Sequence, residues 1–284
     1  MGVRRRVTKT RRQTSTTAVD KKRLADLDQK TKLVTTKLQQ LQTQYTSLFE
    51  EYVTGHVLPF IGTVIDQGVE PSLVFTDELR DKLVNAVKYG VDMWRLQAHF
   101  SNIQIMGQSA IGNPGCLQGP DIKSWILQSP GVYNMQGDER LFAHAVAEGV
   151  ATNFKQWQDM VTVPGLPWYP MFVAVAAPFA PPTPNIPMPL MVCVSQNFSK
   201  LASPSQLELS INSGLPESLR TAEANTFIYM LSVHLVNYFI SWLTAQNVMM
   251  VMGMGPVPTF NPPYVPVGPV VNGAVIPSPG HLAI

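Results

Sequence analysis

The side chains in this sequence best suited to chemistry are few and far apart. Gly107-Gln108-Ser109-Ala110-Ile111-Gly112 looks like the sharp turn that exposes a nucleophilic serine, but its second glycine falls one residue late. The match is at chance level. Gly112-Asn113-Pro114-Gly115-Cys116 would carry a thiol on a loop, yet no base stands near it in sequence, and a plain turn is the simpler reading. Cys116 and Cys193 lie 77 positions apart, which is neither a disulfide framework nor a metal cluster. Two buried thiols in a reducing compartment fit better.

The five histidines, His56, His99, His144, His234 and His281, are scattered. His144 and Glu148 are one helical turn apart and could share a metal, but two ligands make no site. A pair along one helix is the expected relation. Asp138 and Glu139 suit the first turn of a helix better than acid–base catalysis. His234 sits in an uncharged run and is expected in a core. Neither a GxxxxGK[ST] nor a GxGxxG pattern is present to cradle phosphate. No catalytic, cofactor-binding or metal residue is therefore assigned, and the chain is expected not to be an enzyme. An unrecognised activity would be tested first at Ser109 and Cys116.

Charge is the informative feature. Of 40 charged residues, only Lys200, Glu208, Glu217, Arg220 and Glu223 follow Asp159, and residues 224–284 have none. Charged side chains normally cover a soluble protein, because they are almost never buried unpaired. A half-chain this poor in them is expected to show its surface to other protein chains. Charged residues make up 14% of the whole, below the usual ~25%. The net charge of +2 hides an asymmetry, since Arg4, Arg5, Arg6, Lys9, Arg11 and Arg12 all precede the first acid, Asp20. These six suit phosphate neutralisation or an acidic protein partner, and the absence of aromatics among them argues against base reading. No apolar stretch follows the basic residues, so secretion by a signal peptide is not expected.

Six segments are expected along the chain. Residues 1–19 form a basic arm unable to fold alone. Residues 20–54 form a heptad helix: Leu24, Leu27, Thr31, Val34, Leu38, Leu41, Tyr45, Leu48 and Tyr52 alternate steps of three and four, the 3.5-residue period of a coiled-coil seam. Residues 55–163 form a helical body. One helix starts near Thr76 with Leu79, Leu83, Ala86, Val87, Gly90, Val91, Trp94 and Ala98 inward and continues toward Met106. A short one covers 121–128, and a long one covers 138–160 with Leu141, Ala145, Val146, Gly149, Val150, Phe154 and Trp157 inward.

Residues 164–199 open with nine prolines in 26 positions, interleaved with large apolar residues, and are expected to lie extended on a surface. Short strands fit 171–175 and 190–194. In 200–254, residues 206–211 alternate as a strand would, and a long uncharged helix runs from about 216 to 252. Residues 255–284 are a second uncharged, proline-rich segment. Trp168, Tyr169, Phe179, Phe260 and Tyr264 are the expected inter-subunit packing residues.

The fold class expected from this is mainly α: a helical bundle with a coiled-coil-type helix, long extended proline-rich segments and a minor β component. Extended apolar segments need a surface to satisfy their backbone, and neighbouring subunits would supply one. The function expected is a structural subunit of a large multi-chain particle, a virion or phage assembly, partnered by its own copies and other structural subunits. Its location would be that particle or a large cytoplasmic assembly. The alternative is a membrane-associated protein anchored by residues 227–253, although Ser232, His234, Asn237 and Gln246 interrupt that run and no basic residue flanks it on the C-terminal side.

Overall fold

Thr76 caps a helix: its Oγ1 accepts the Leu79 amide at 3.1 Å, with Asp77 and Glu78 in the first turn. This computed structural model describes residues 73–169, 175, 177–258 and 268–283, together with positions 29, 32 and 36. The chain divides into two compact units, Met1–Glu70 and Pro71–Ile284. In the first, Gln29, Lys32 and Thr36 are helical and exposed, and Thr36 Oγ1 donates to the Lys32 carbonyl at 2.9 Å. The expected seam (Leu24, Leu27, Val34, Leu38, Leu41, Tyr45, Leu48) and the basic residues Arg4, Arg5, Arg6, Lys9, Arg11 and Arg12 lie outside the described residues.

In the second unit, α1 (Asp77–Gln97) buries Leu79, Leu83, Ala86, Val87, Gly90, Val91 and Trp94, as its 3.6-residue spacing requires. It stops at Ala98 rather than running toward Met106, because the chain there turns into strands. α2 (Lys123–Gln128) and α3 (Pro130–Tyr133) pack against it. α4 (Gly137–Asp159) is the central helix, touched by α1, α2, α5 (Ser199–Ala202) and α6 (Pro204–Gly214). Phe142, not Leu141, faces the core; Leu141 is exposed.

α4 and α6 approach closely at Gly149, where a Cβ would stand 2.6 Å from the Ile211 nitrogen. Buried Asn153 fastens the contact, donating to the Gln206 carbonyl at 3.1 Å and accepting from Ser210 Oγ at 3.0 Å. The expected strand at 206–211 is thus a helix. Pro204 opens it, and Leu207 and Ile211 are the i, i+4 pair it buries while Leu209 points outward. α7 (Ala222–Ala245) is capped by Thr221 and packs on α1, α5 and α6. It ends seven residues short of the expected position.

The expectation of a mainly α fold is overturned. The described residues are about 51% helical and 24% strand, with three sheets, one of them seven-stranded and antiparallel. Its order is β6 (Phe179–Pro184), β10 (Met252–Pro256), β11 (Val271–Val275), β2 (Ile103–Met106), β3 (Ser109–Gly112), β5 (Val161–Pro167), β8 (Val194–Ser195). β1 (His99–Phe100) pairs with β4 (Leu117–Gln118), and β12 (Leu282–Ala283), β9 (Asn247–Val248) and β7 (Met188–Pro189) form the third sheet.

Prolines are tolerated in these strands because their missing N–H is not needed. Pro181, Pro182 and Pro184 lie on the edge strand β6. Pro164 sits at the register irregularity where β5 passes the end of β8.

The described parts of both proline-rich segments pair within the unit itself. Asn185 accepts the Val251 amide at 3.0 Å and donates to the Val248 carbonyl at 3.0 Å, tying the first segment to the β9–β10 turn. The second supplies β11, in the middle of the sheet. For the described strands of these segments, the backbone partners expected from neighbouring subunits come from the same chain. The buried residues of the sheet's inner face and those of the helices form one continuous core.

Candidate functional site

The residues considered for chemistry are dispersed. Gly107 (φ +61°) and Gln108 form the two-residue turn between β2 and β3, and Ser109 opens β3. A glycine with positive φ at the first central position is hairpin chemistry, not a strand-to-helix elbow. Cys116 and Cys193 are buried free thiols. Burial pushes Cys116 up to about 11 and Cys193 up to about 12, and Cys116 Sγ donates to the Val161 carbonyl at 3.4 Å. Thiols held this protonated are poor nucleophiles.

His144 is lowered by burial and then by Arg140 and Lys123, while Glu148 is engaged by Lys123 across α2 and α4. Among the described residues, no three His, Cys, Asp or Glu side chains gather around a common point. His234 on α7 is lowered first by burial and then by Arg80 of α1. His281 is buried: its Nδ1 accepts the Phe100 amide at 2.9 Å and its Nε2 lies 3.0 Å from Ser278 Oγ.

Aromatic rings fill the space between α1, α4 and α7. Trp94, Phe154, Trp157 and Trp242 lie with neighbouring centroids 4.9 to 6.2 Å apart, and Trp94 Nε1 donates to Gln158 at 2.8 Å. Edge-to-face rings at these spacings stabilise a core beyond their buried area. Nothing in the group is exposed enough to meet a ligand.

What the structure does present is the outer face of the seven-stranded sheet. The strands alternate strictly on β2 and β3: Ile103, Ile105, Ala110 and Gly112 are buried, Gln104, Met106, Ser109 and Ile111 exposed. One row crosses four strands as Ile111, Gln104, Ala274 and Met254; the next runs Ser109, Met106, Val271. Exposure is 52% for Met106, 59% for Ile111 and 58% for Val194. No residue of the seven strands is Lys, Arg, Asp or Glu. A face of this kind, large apolar side chains in the open with no charge between them, is the usual mark of an interaction surface.

Its inner side explains the glycines. A Cβ on Gly253 would stand 2.8 Å from Trp168 Nε1, and one on Gly255 would stand 2.5 Å from Gly273 Cα. Trp168 fills that space at 1% exposure and donates to the Thr183 carbonyl at 3.0 Å, so its own chain covers it. Tyr169 and Phe179 are exposed, at 46% and 48%. Phe260 and Tyr264 lie outside the described residues. Sequence reading missed Met106, Ile111, Ala274 and Met254; their signal was two short alternations, Ile-Gln-Ile-Met and Met-Gly-Met-Gly, in uncharged surroundings.

The proposed anchor 227–253 is not one helix: α7 ends at Ala245 and strands β9 and β10 follow. Half of its most apolar 18-residue window is buried against this unit. Comparison with protein-family models, curated proteins and solved structures returns no match for the chain.

Proposed function

We propose that the chain is a non-enzymatic structural subunit of a large multi-chain assembly, with a virus or phage particle as its setting. One observation carries this reading: a seven-stranded sheet whose open face holds Met106, Ile111 and Val194 in the solvent without a single charge. Leaving such a face uncovered forfeits the free energy of burying it, about 25 cal/mol per Å². The described parts of the proline-rich segments pair within their own unit, so the sheet face rather than these segments supports the reading.

Partners are further copies and other structural subunits. Arg4, Arg5, Arg6, Lys9, Arg11 and Arg12 would add salt-sensitive contact with nucleic acid or an acidic neighbour. The direct test is the mass of the full-length chain in detergent-free buffer, by light scattering at low and high salt. A defined oligomer or particle is expected. It should persist at high salt if the apolar face holds it, and weaken if the basic residues do. A species of 31.3 kDa at every concentration would overturn the proposal.

A further inference from the structure

We infer that residues 277–283 form a strap across β1 and β9, latched by His281 at neutral pH and released locally when the imidazole takes up a proton. The inference stands apart from the assembly reading. Pro279 and Gly280 shape the strap. Gly280 sits at φ +88°, the positive value a Pro-Gly turn requires of its glycine, and the turn sets Ser278 Oγ 3.0 Å from His281 Nε2. The ring then enters the interior at 0% exposure, lies nearly parallel to Phe100 and accepts the Phe100 amide on Nδ1 at 2.9 Å. The His281 carbonyl accepts the Met249 amide at 3.0 Å, and Leu282 and Ala283 pair with Val248 and Asn247 of β9.

Protonation turns the latch against itself. A charged imidazole donates from both nitrogens, so Nδ1–H would face the Phe100 N–H, donor against donor, in a buried site. The surrounding elements do not offset the charge. His99 of β1 disfavours it, β9 and β12 carry no ionisable side chain, and the last turn of α1 adds only a cation, Arg95. Relief comes either from rearranging the core around Phe100 or from lifting the strap. The strap is held by two-residue pairing on one side of β9, so lifting it disturbs fewer contacts. Its departure leaves β9 paired with β7 alone, with a backbone edge that was covered at neutral pH.

Burial holds the latched ring down at about 4, whereas in the lifted strap it regains an ordinary value near 6.5. The closed strap is therefore fully favoured above pH 6.5 and loses that preference as pH falls toward 4.

The test is amide hydrogen exchange of the full chain at pH 7.5 and 4.5, read by mass spectrometry and corrected for the intrinsic effect of pH on exchange. Wild type is compared with His281→Gln, which can accept the Phe100 amide but cannot titrate, and with Gly280→Ala, which strains the turn. In the wild type, residues 246–250 and 277–283 should exchange faster than α4 at both pH values, and their opening should rise about 70-fold at pH 4.5. His281→Gln should hold that rise to about twofold or less. Gly280→Ala should open the same residues about tenfold more at pH 7.5 while α4 keeps its protection, a result that stands even if the glutamine variant does not fold.

Residues 277–283 exchanging only in step with α4 overturns the inference, because His281 would then report unfolding of the whole unit. An equal pH response in wild type and His281→Gln overturns it too.

Discussion

His281 shows what a single buried side chain can reveal about an uncharged segment. The Phe100 amide can only donate, so Nδ1 is the acceptor and the proton sits on Nε2, facing Ser278 Oγ. The ring stacks on Phe100, 6.4 Å between centroids and 14° from parallel. Burial, with a smaller contribution from His99, holds the imidazole down at about 4. The unfolded chain, near 6.5, takes up its proton first as pH falls. The stability that neutral His281 contributes is therefore complete above pH 6.5 and lost between 6.5 and about 4, to a total of about 3 kcal/mol. Urea denaturation at pH 7.5 and 4.5 checks this. His281→Gln can still accept the amide but cannot titrate, so it should lose clearly less stability across that interval than the wild type. Equal losses in the two proteins would contradict the assignment.

At the scale of elements, β11 decides whether the C-terminal segment belongs to this fold. It pairs with β10 on one side and β2 on the other, joining β6–β10 to the β2–β3–β5–β8 half of the sheet. Gln104 Nε2 donates to Asn272 at 3.1 Å across 168 positions of sequence. Deleting residues 268–284 should abolish cooperative melting and lower the helical signal in far-UV circular dichroism, because the core the helices share with the sheet is opened. A truncated chain that melts as the wild type does would contradict this.

The helices α1, α2 and α4 were legible because capping residues and 3.6-residue periods are local signals: Thr76, then Leu79 through Trp94, lie within twenty residues. The strands were not. They run two to seven residues, are broken by Pro and Gly, and find partners far away in sequence. The alternation at 206–211 misled for a related reason, since Leu207, Leu209 and Ile211 fit a strand locally, and only Gly149 and Asn153 of α4 show that a helix docks there.

For the whole molecule, the uneven distribution of charge has two outcomes. Much of the uncharged half is interior: α7 buries its Phe227, Leu231, Leu235, Phe239 and Trp242 stripe, and β11 lies mid-sheet. Another described part of it lies on the outer face of that sheet, beside Met106 and Ile111 from the charged half.

Methionine oxidation reads whether the sheet face is covered in an assembly. Met106 on the face and Met250 in the turn before β10 are each 52% exposed, so dilute peroxide should convert both to the sulfoxide at comparable rates in dilute, dissociated protein. In the assembled state, read by mass spectrometry, Met106 should slow by about fivefold or more while Met250 keeps its rate. Met106 and Met250 oxidising in step in an assembly of proven mass would contradict the account.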